Sequence, residues 1–117
     1  MKMITAIIQP DKLDEVSEAL IKKDITRITV GRVTGHGQKV EEDLYRGQEV
    51  GIDLSPKIRI DIACNDDYVE EICQIIMATA RHEGGKLGDG KIFISSLEDC
   101  IRIRTGDLLL TRQVLYH

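Results

Sequence analysis

Lys57-Ile58-Arg59-Ile60-Asp61-Ile62 alternates charged and β-branched apolar residues without a fault. A period of two puts the three isoleucines on one face of a strand and the lysine, arginine and aspartate on the other. The segment therefore predicts a half-buried strand in a sheet with one dry face and one polar face. Working upstream, Ile25 to Thr34 is rich in β-branched residues and stops at Gly35-His36-Gly37, which predicts a preceding strand. Downstream, Asn65-Asp66 offers a helix cap. Val69, Ile72, Cys73, Ile76 and Ala80 then recur at helical spacing, and Gly84-Gly85 supplies a stop. Ile92 to Ser95 and Ile101 to Arg104 read as the last strands.

At the start of the chain, Met3 to Ile8 is a mostly apolar run ended by Pro10, suited to a central strand. Asp11 is placed to cap the helix that follows. Leu13, Val16, Ala19 and Leu20 form its apolar stripe, while Lys12, Glu15, Glu18 and Lys22 face water. The succession is strand, helix, strand, strand, helix, strand, with a short C-terminal strand appended. This is an α+β, ferredoxin-like βαββαβ pattern. Its antiparallel sheet carries both helices on one face, so the other face meets solvent or another subunit.

With 117 residues, the chain is expected to fold as a single domain over 1–117. A formal charge of -4 provides no basic field to attract nucleic acid, and aromatic residues at 3% offer no base-stacking platform. No run is long and apolar enough to span a bilayer, and Met1-Lys2-Met3-Ile4 begins a strand rather than a signal peptide, which predicts a cytoplasmic protein without membrane insertion. Cys64, Cys73 and Cys100 are odd in number, far apart and without a C-x-x-C pair. They read as small buried hydrophobes.

Chemistry concentrates in Gly88-Asp89-Gly90-Lys91 and in Arg102-Ile103-Arg104. Two glycines let backbone N–H groups turn into one concavity, and the lysine and arginines add cations around it. That combination predicts an anion site, although an ordinary strand edge with outward arginines would carry the same residues. Gly85 to Lys91 satisfies G-x-x-x-x-G-K, yet Ile92 stands where Ser or Thr is required and the run leads into a strand rather than a helix. His36, His82 and His117 lack metal-site spacing and read as surface or hydrogen-bonding residues. Asp66 and Asp67 suit a helix start by the dipole alone. His36 to Ser55 is far longer than a hairpin turn needs and rich in charge, the profile of a functional loop.

The chain resembles the PII nitrogen-regulatory signalling family from Met1 to about Gly106. The resemblance rests on Met1-Lys2 with Ala6-Ile7-Ile8, Gly35-His36-Gly37, Leu44-Tyr45-Arg46-Gly47, Pro56-Lys57, Gly88-Asp89-Gly90-Lys91-Ile92-Phe93 and Ile101-Arg102-Ile103-Arg104-Thr105-Gly106. It implies a non-catalytic homotrimer with ATP or ADP clefts between subunits and a T-loop at about 38–55. It also implies a response to 2-oxoglutarate beside Mg-ATP, and control of a target such as an ammonium channel, a nitrogen-assimilation enzyme or a regulator. By the same resemblance, Ile7, Thr29, Gly35, Gly37, Gln38, Asp61, Ala63, Cys64, Gly88, Asp89, Gly90, Lys91, Arg102, Ile103 and Arg104 are the nucleotide residues. Gln38, Lys57, Leu87 and Gly88 would meet 2-oxoglutarate. Gln38 would also help hold Mg²⁺ with the ATP phosphates, and Tyr45, Arg46, Gly47, Gln48 and Glu49 would face the target.

The chain departs from the family pattern at several points. Asp61 stands where Glu is usual, Gln9 where Lys or Arg is usual, and Gln38-Lys39 follows Gly37 directly. Arg81-His82-Glu83-Gly84-Gly85 lengthens the turn before Gly88, and Val50 and Gln48 occupy the positions of the modifiable tyrosine and serine of some members. Two alternatives remain at this point. One is a PII-like sensor of adenylate charge that does not respond to 2-oxoglutarate. The other is a small enzyme acting on acyl or phosphoryl groups with Arg102 or Arg104 as its oxyanion clamp, for which no positioned nucleophile or base can be picked out. In the tail, 107–117, three consecutive leucines predict a docked segment.

Overall fold

The computed structural model of the chain describes residues 1–36 and 54–108. Strand β1 (Lys2–Ile8) leads through a 3-10 turn (Pro10–Lys12) into helix α1 (Leu13–Lys22), followed by β2 (Thr29–His36) and β3 (Leu54–Cys64). A second 3-10 turn (Asp66–Tyr68), helix α2 (Val69–Ala80) and β4 (Gly90–Ser96) complete the order. The sheet runs β2-β3-β1-β4 with every neighbour antiparallel. The β1-α1-β2 crossover leaves a gap that β3 fills, as the ferredoxin-like pattern requires.

Alternation in β1 and β3 sets the two faces. Ile4, Ala6 and Ile8 of β1 and Ile58, Ile60, Ile62 and Cys64 of β3 are buried, each set at every second residue. Val16 and Leu20 of α1 and Ile72, Ile76 and Ala80 of α2 close over them, with Ile25 at the end of the first crossover. Among the described residues the buried set contains no polar or charged side chain. The opposite sheet face is polar. There Thr5 donates to Asp61 across the β1–β3 pair at 2.6 Å, and Arg59 Nε meets both Asp61 oxygens at 3.0 and 3.3 Å.

Several expectations need correction. Ile101 to Arg104 is not a strand: Ile101 makes one isolated bridge to Leu108, with a turn between them closed by Arg102 N–H to Asp107 O at 2.9 Å and Gly106 N–H to Arg102 O at 2.7 Å. Ile103 is 99% exposed rather than packed on the core. Strand β2 begins at Thr29, not Ile25, because Asp24 adopts φ 65° and the chain leaves α1 by a tight left-handed turn. Leu54 and Ser55, the last two positions of the expected T-loop, belong to β3.

Neither predicted cap forms. Asp11 lies inside the 3-10 turn and bonds elsewhere, Asn65 makes no side-chain cap, and α2 already ends at Ala80, before the two glycines. Asp66 takes the N-terminal ammonium at 2.9 Å instead, which holds its carboxyl below the ordinary range. Of the cysteines only Cys64 is buried, and burial pushes its thiol up to about 11; Cys73 and Cys100 are half-buried.

Candidate functional site

The glycine-rich turn enters β4 where β1 ends, with Gly90 paired to Ile8. Gly88 and Gly90 adopt φ 94° and 121°, and a Cβ on Gly90 would fall 1.9 Å from the Ile7 carbonyl oxygen. Only glycine permits that approach. Asp89 turns its carboxylate inward, accepting from the Lys86 N–H at 2.8 Å and the His82 N–H at 3.2 Å. Gln9 Nε2 donates to the Gly88 carbonyl at 2.6 Å, which ties the turn to the end of β1. Lys91 lies exposed at the first positions of β4. An open cleft of about 630 Å³ beside the turn is lined by Gln9, Asp11, His82, Lys86, Leu87 and Asp89 among others.

His82 sits between two carboxylates, with Nε2 3.0 Å from Asp11 and Nδ1 2.5 Å from Asp89. A carboxylate accepts but does not donate, so both contacts are hydrogen bonds at once only when the ring is protonated, and the arrangement favours the imidazolium. The bond to Asp11, then that to Asp89, raises the His82 pKa above its ordinary value. Asp89 is held below its ordinary value by the Lys86 amide first and by His82 next, and Asp11 by His82. The imidazolium contribution is thus complete below the free-histidine range and fades as pH rises through the elevated folded value. The carboxylate contributions fade only as pH falls through depressed ones.

A second cleft of about 260 Å³ is lined by Met3, Arg27, Thr29, Asp61 and Ala63 and shares no residue with the first. It opens on the polar sheet face toward the start of β1, whereas Gly88–Lys91 lies at the end of β1. Farther along, Arg102 and Arg104 stand exposed on the turn after β4, Arg102 Nη1 lying 4.0 Å from Asp107.

The family described as Nitrogen regulatory protein P-II matches residues 1–107. A Nitrogen regulatory protein P-II from Porphyra purpurea is 51% identical over 109 residues, covering 92% of this chain and 96% of the relative. One from Bradyrhizobium diazoefficiens is 49% identical over 108 residues, and Nitrogen regulatory protein GlnK of Escherichia coli K12 is 46% identical over 108, each covering 92% of this chain and 95% of its own. The chain belongs to the P-II family.

In this P-II chain the expected nucleotide residues form separate groups. Thr29, Asp61 and Ala63 come together in the smaller cleft, and Gly88, Asp89, Gly90 and Lys91 form the turn. Ile7 shares the polar face and pairs with both Arg59 and Lys91. Cys64 is buried under the helices, as read from the sequence, so its backbone rather than its thiol is what a ligand could meet. Asp61 is already engaged by Thr5 and Arg59, and the stem of Lys57 runs across Gly35, where a Cβ would meet Lys57 Cγ at 3.0 Å. Leu87 is 84% exposed at the mouth of the larger cleft. Gly37, Gln38, Tyr45, Arg46, Gly47, Gln48 and Glu49, and the tail from residue 109 on, lie outside the described residues.

In the sequence, Gln9 and the lengthened 81–85 turn stand out only as departures from the family pattern. Nothing in their spacing announces that Asp11 and His82, 71 residues apart, meet.

Proposed function

We propose that this P-II member is a non-catalytic homotrimer, working in the cytoplasm, that binds ATP or ADP and, with Mg²⁺, 2-oxoglutarate, and that passes this state to a nitrogen-metabolism target through its T-loop. The observation that supports the reading most is the Gly88–Lys91 turn. Its glycines hold positive φ, its aspartate is folded inward, and Lys91 stands exposed at its exit. Turned backbone amides beside a cation suit a polyphosphate. The separation of the two clefts within one protomer fits a ligand held between copies, one supplying the phosphate turn and its neighbour the Thr29–Asp61–Ala63 cleft. Arg102 and Arg104 are the cations available to the same anion.

Mg²⁺ requires near-octahedral oxygen ligands, which the Gln38 amide oxygen, phosphates and a keto acid could complete. When bound, the ion neutralises phosphate charge and ties the keto acid to the nucleotide. Control then follows from differential affinity, because a ligand shifts a loop equilibrium only as far as it prefers one loop conformation. Couplings of about 1–3 kcal/mol are typical.

Calorimetric titration with ATP, ADP and AMP, each with and without Mg²⁺ and 2-oxoglutarate, tests this reading. ATP and ADP binding, with ATP affinity raised by Mg²⁺ and 2-oxoglutarate together, is the expected result; no nucleotide binding overturns it. The second reading, an adenylate-charge sensor deaf to 2-oxoglutarate, is favoured by the Gln9 bond to Gly88, which occupies the turn beside the place expected for the keto acid. Nucleotide affinities that ignore 2-oxoglutarate would select it.

A further inference from the structure

The Asp11–His82–Asp89 chain joins three segments that lie outside the strands. Asp11 belongs to the 3-10 turn after β1, His82 to the segment after α2, and Asp89 to the glycine-rich turn itself. The Asp89 carboxylate makes its inward bonds to the Lys86 and His82 amides on one oxygen, while its other oxygen meets the imidazolium. Resting on the nucleotide reading above, we propose that His82 is the positioning residue of the phosphate turn: clamped between Asp11 and Asp89 as an imidazolium, it holds the Gly88–Lys91 turn in its anion-binding form, which makes nucleotide affinity fall as pH rises.

The geometry excludes a metal role for the same three side chains. The carboxylates approach opposite edges of one ring, so their oxygens cannot converge on an ion, and no metal-holding group occurs among the described residues. Among the described residues, charged groups near the ring come from three segments. Asp11 and Lys12 lie on the turn after β1, Lys12 being paired with Glu15 at 3.4 Å; Lys86, Asp89 and Lys91 lie in the glycine-rich segment; Arg81 and Glu83 flank the ring in sequence. Among the described residues, Asp11 and Asp89 are the ones in contact with it. Deprotonation removes one of the two ring donors, so one carboxylate must lose its bond. If Asp89 loses it, one carboxylate oxygen keeps both backbone amides while the other loses the ring, and the turn loosens; if Asp11 loses it, the turn loses its tie to the 3-10 segment after β1 and keeps the Gln9 bond to Gly88.

Two measurements on the full chain test this across pH about 6 to 9. The first is the hydrogen-exchange protection factor of the Lys86 and Asp89 amides without ligand; the second is ADP affinity by calorimetry. In the wild type, both are expected to fall with one midpoint, the affinity by roughly three- to tenfold. His82→Gln, with a single uncharged donor group, should be low and flat in both. His82→Arg, cationic at every pH used, should be high and flat. Asp11→Asn keeps an acceptor but removes one charge, and should move the wild-type midpoint to lower pH. Identical pH profiles for protection in wild type, His82→Gln and His82→Arg overturn the proposal. Absence of ADP binding by the wild type at all pH values instead overturns the nucleotide reading, and the exchange data still decide whether His82 braces the turn.

Discussion

At Gly90 the backbone of β4 passes so close to β1 that a single methyl group has nowhere to go. Gly90→Ala meets the Ile7 carbonyl as well as an unfavourable φ, so it is expected to destabilise the fold by at least about 2 kcal/mol, read as a lowered urea midpoint at unchanged slope. Gly85→Ala, open on all sides but also at positive φ, should cost only about 1 kcal/mol. Lys91→Ala, Arg102→Ala and Arg104→Ala are expected to keep the fold and weaken ATP binding about tenfold or more each, since each removes a charge-assisted contact from an exposed position. Unchanged ATP affinity in all three would show that the anion site lies elsewhere. The glycines and cations were legible in the sequence because their chemistry is local. Gln9 and His82 were not, because a hydrogen-bond partner is chosen by the fold, and neither residue differs in sequence from an ordinary surface polar one.

At the scale of elements, β3 bears the most weight. Ile60 is fully buried and pairs with Ala6 of β1 on one side and Val30 of β2 on the other. Ile60→Ala should destabilise by about 2–5 kcal/mol in a denaturant titration at fixed protein concentration, whereas Ile103→Ala, fully solvated, should leave the midpoint unmoved. The alternation that gives β3 away is genuine because a sheet neighbour flanks it on both sides. Ile101-Arg102-Ile103-Arg104 has the same alternation and is no strand. Thr105-Gly106, with Gly106 at φ 77°, turns the chain back so that Arg102 bonds to Asp107, and pairing closes locally before it can extend a sheet. Both helices were readable from their apolar stripes, but their starts were not. The 3-10 turns at Pro10–Lys12 and Asp66–Tyr68 begin each helix without a side-chain cap, and Asp11 and Asp66 bond instead to His82 and to the N-terminal ammonium.

For the whole molecule, the polar sheet face is the surface that the proposed trimer would bury. Phe93 projects there, 54% exposed and paired with Thr5, beside the Thr5–Asp61–Arg59 bonds. Native mass spectrometry is expected to show three copies of the 13.2 kDa chain. Phe93→Asp, which sets a second carboxylate near Asp61, should yield folded monomer. A Phe93→Asp trimer of undiminished stability would place the subunit contact on another face. The strand order β2-β3-β1-β4 has a further consequence in time. Made first, β1 ends up central, flanked by strands whose residues pair with it across separations as large as Lys2 to Cys64 and Lys2 to Ser96. At about 5–20 residues per second of synthesis, β1 emerges several seconds before β4 is made. The sheet therefore cannot close on the ribosome in the order of its strands, and a nascent chain halted before Gly90 leaves one edge of β1 unpaired and open to any chaperone that binds such strands.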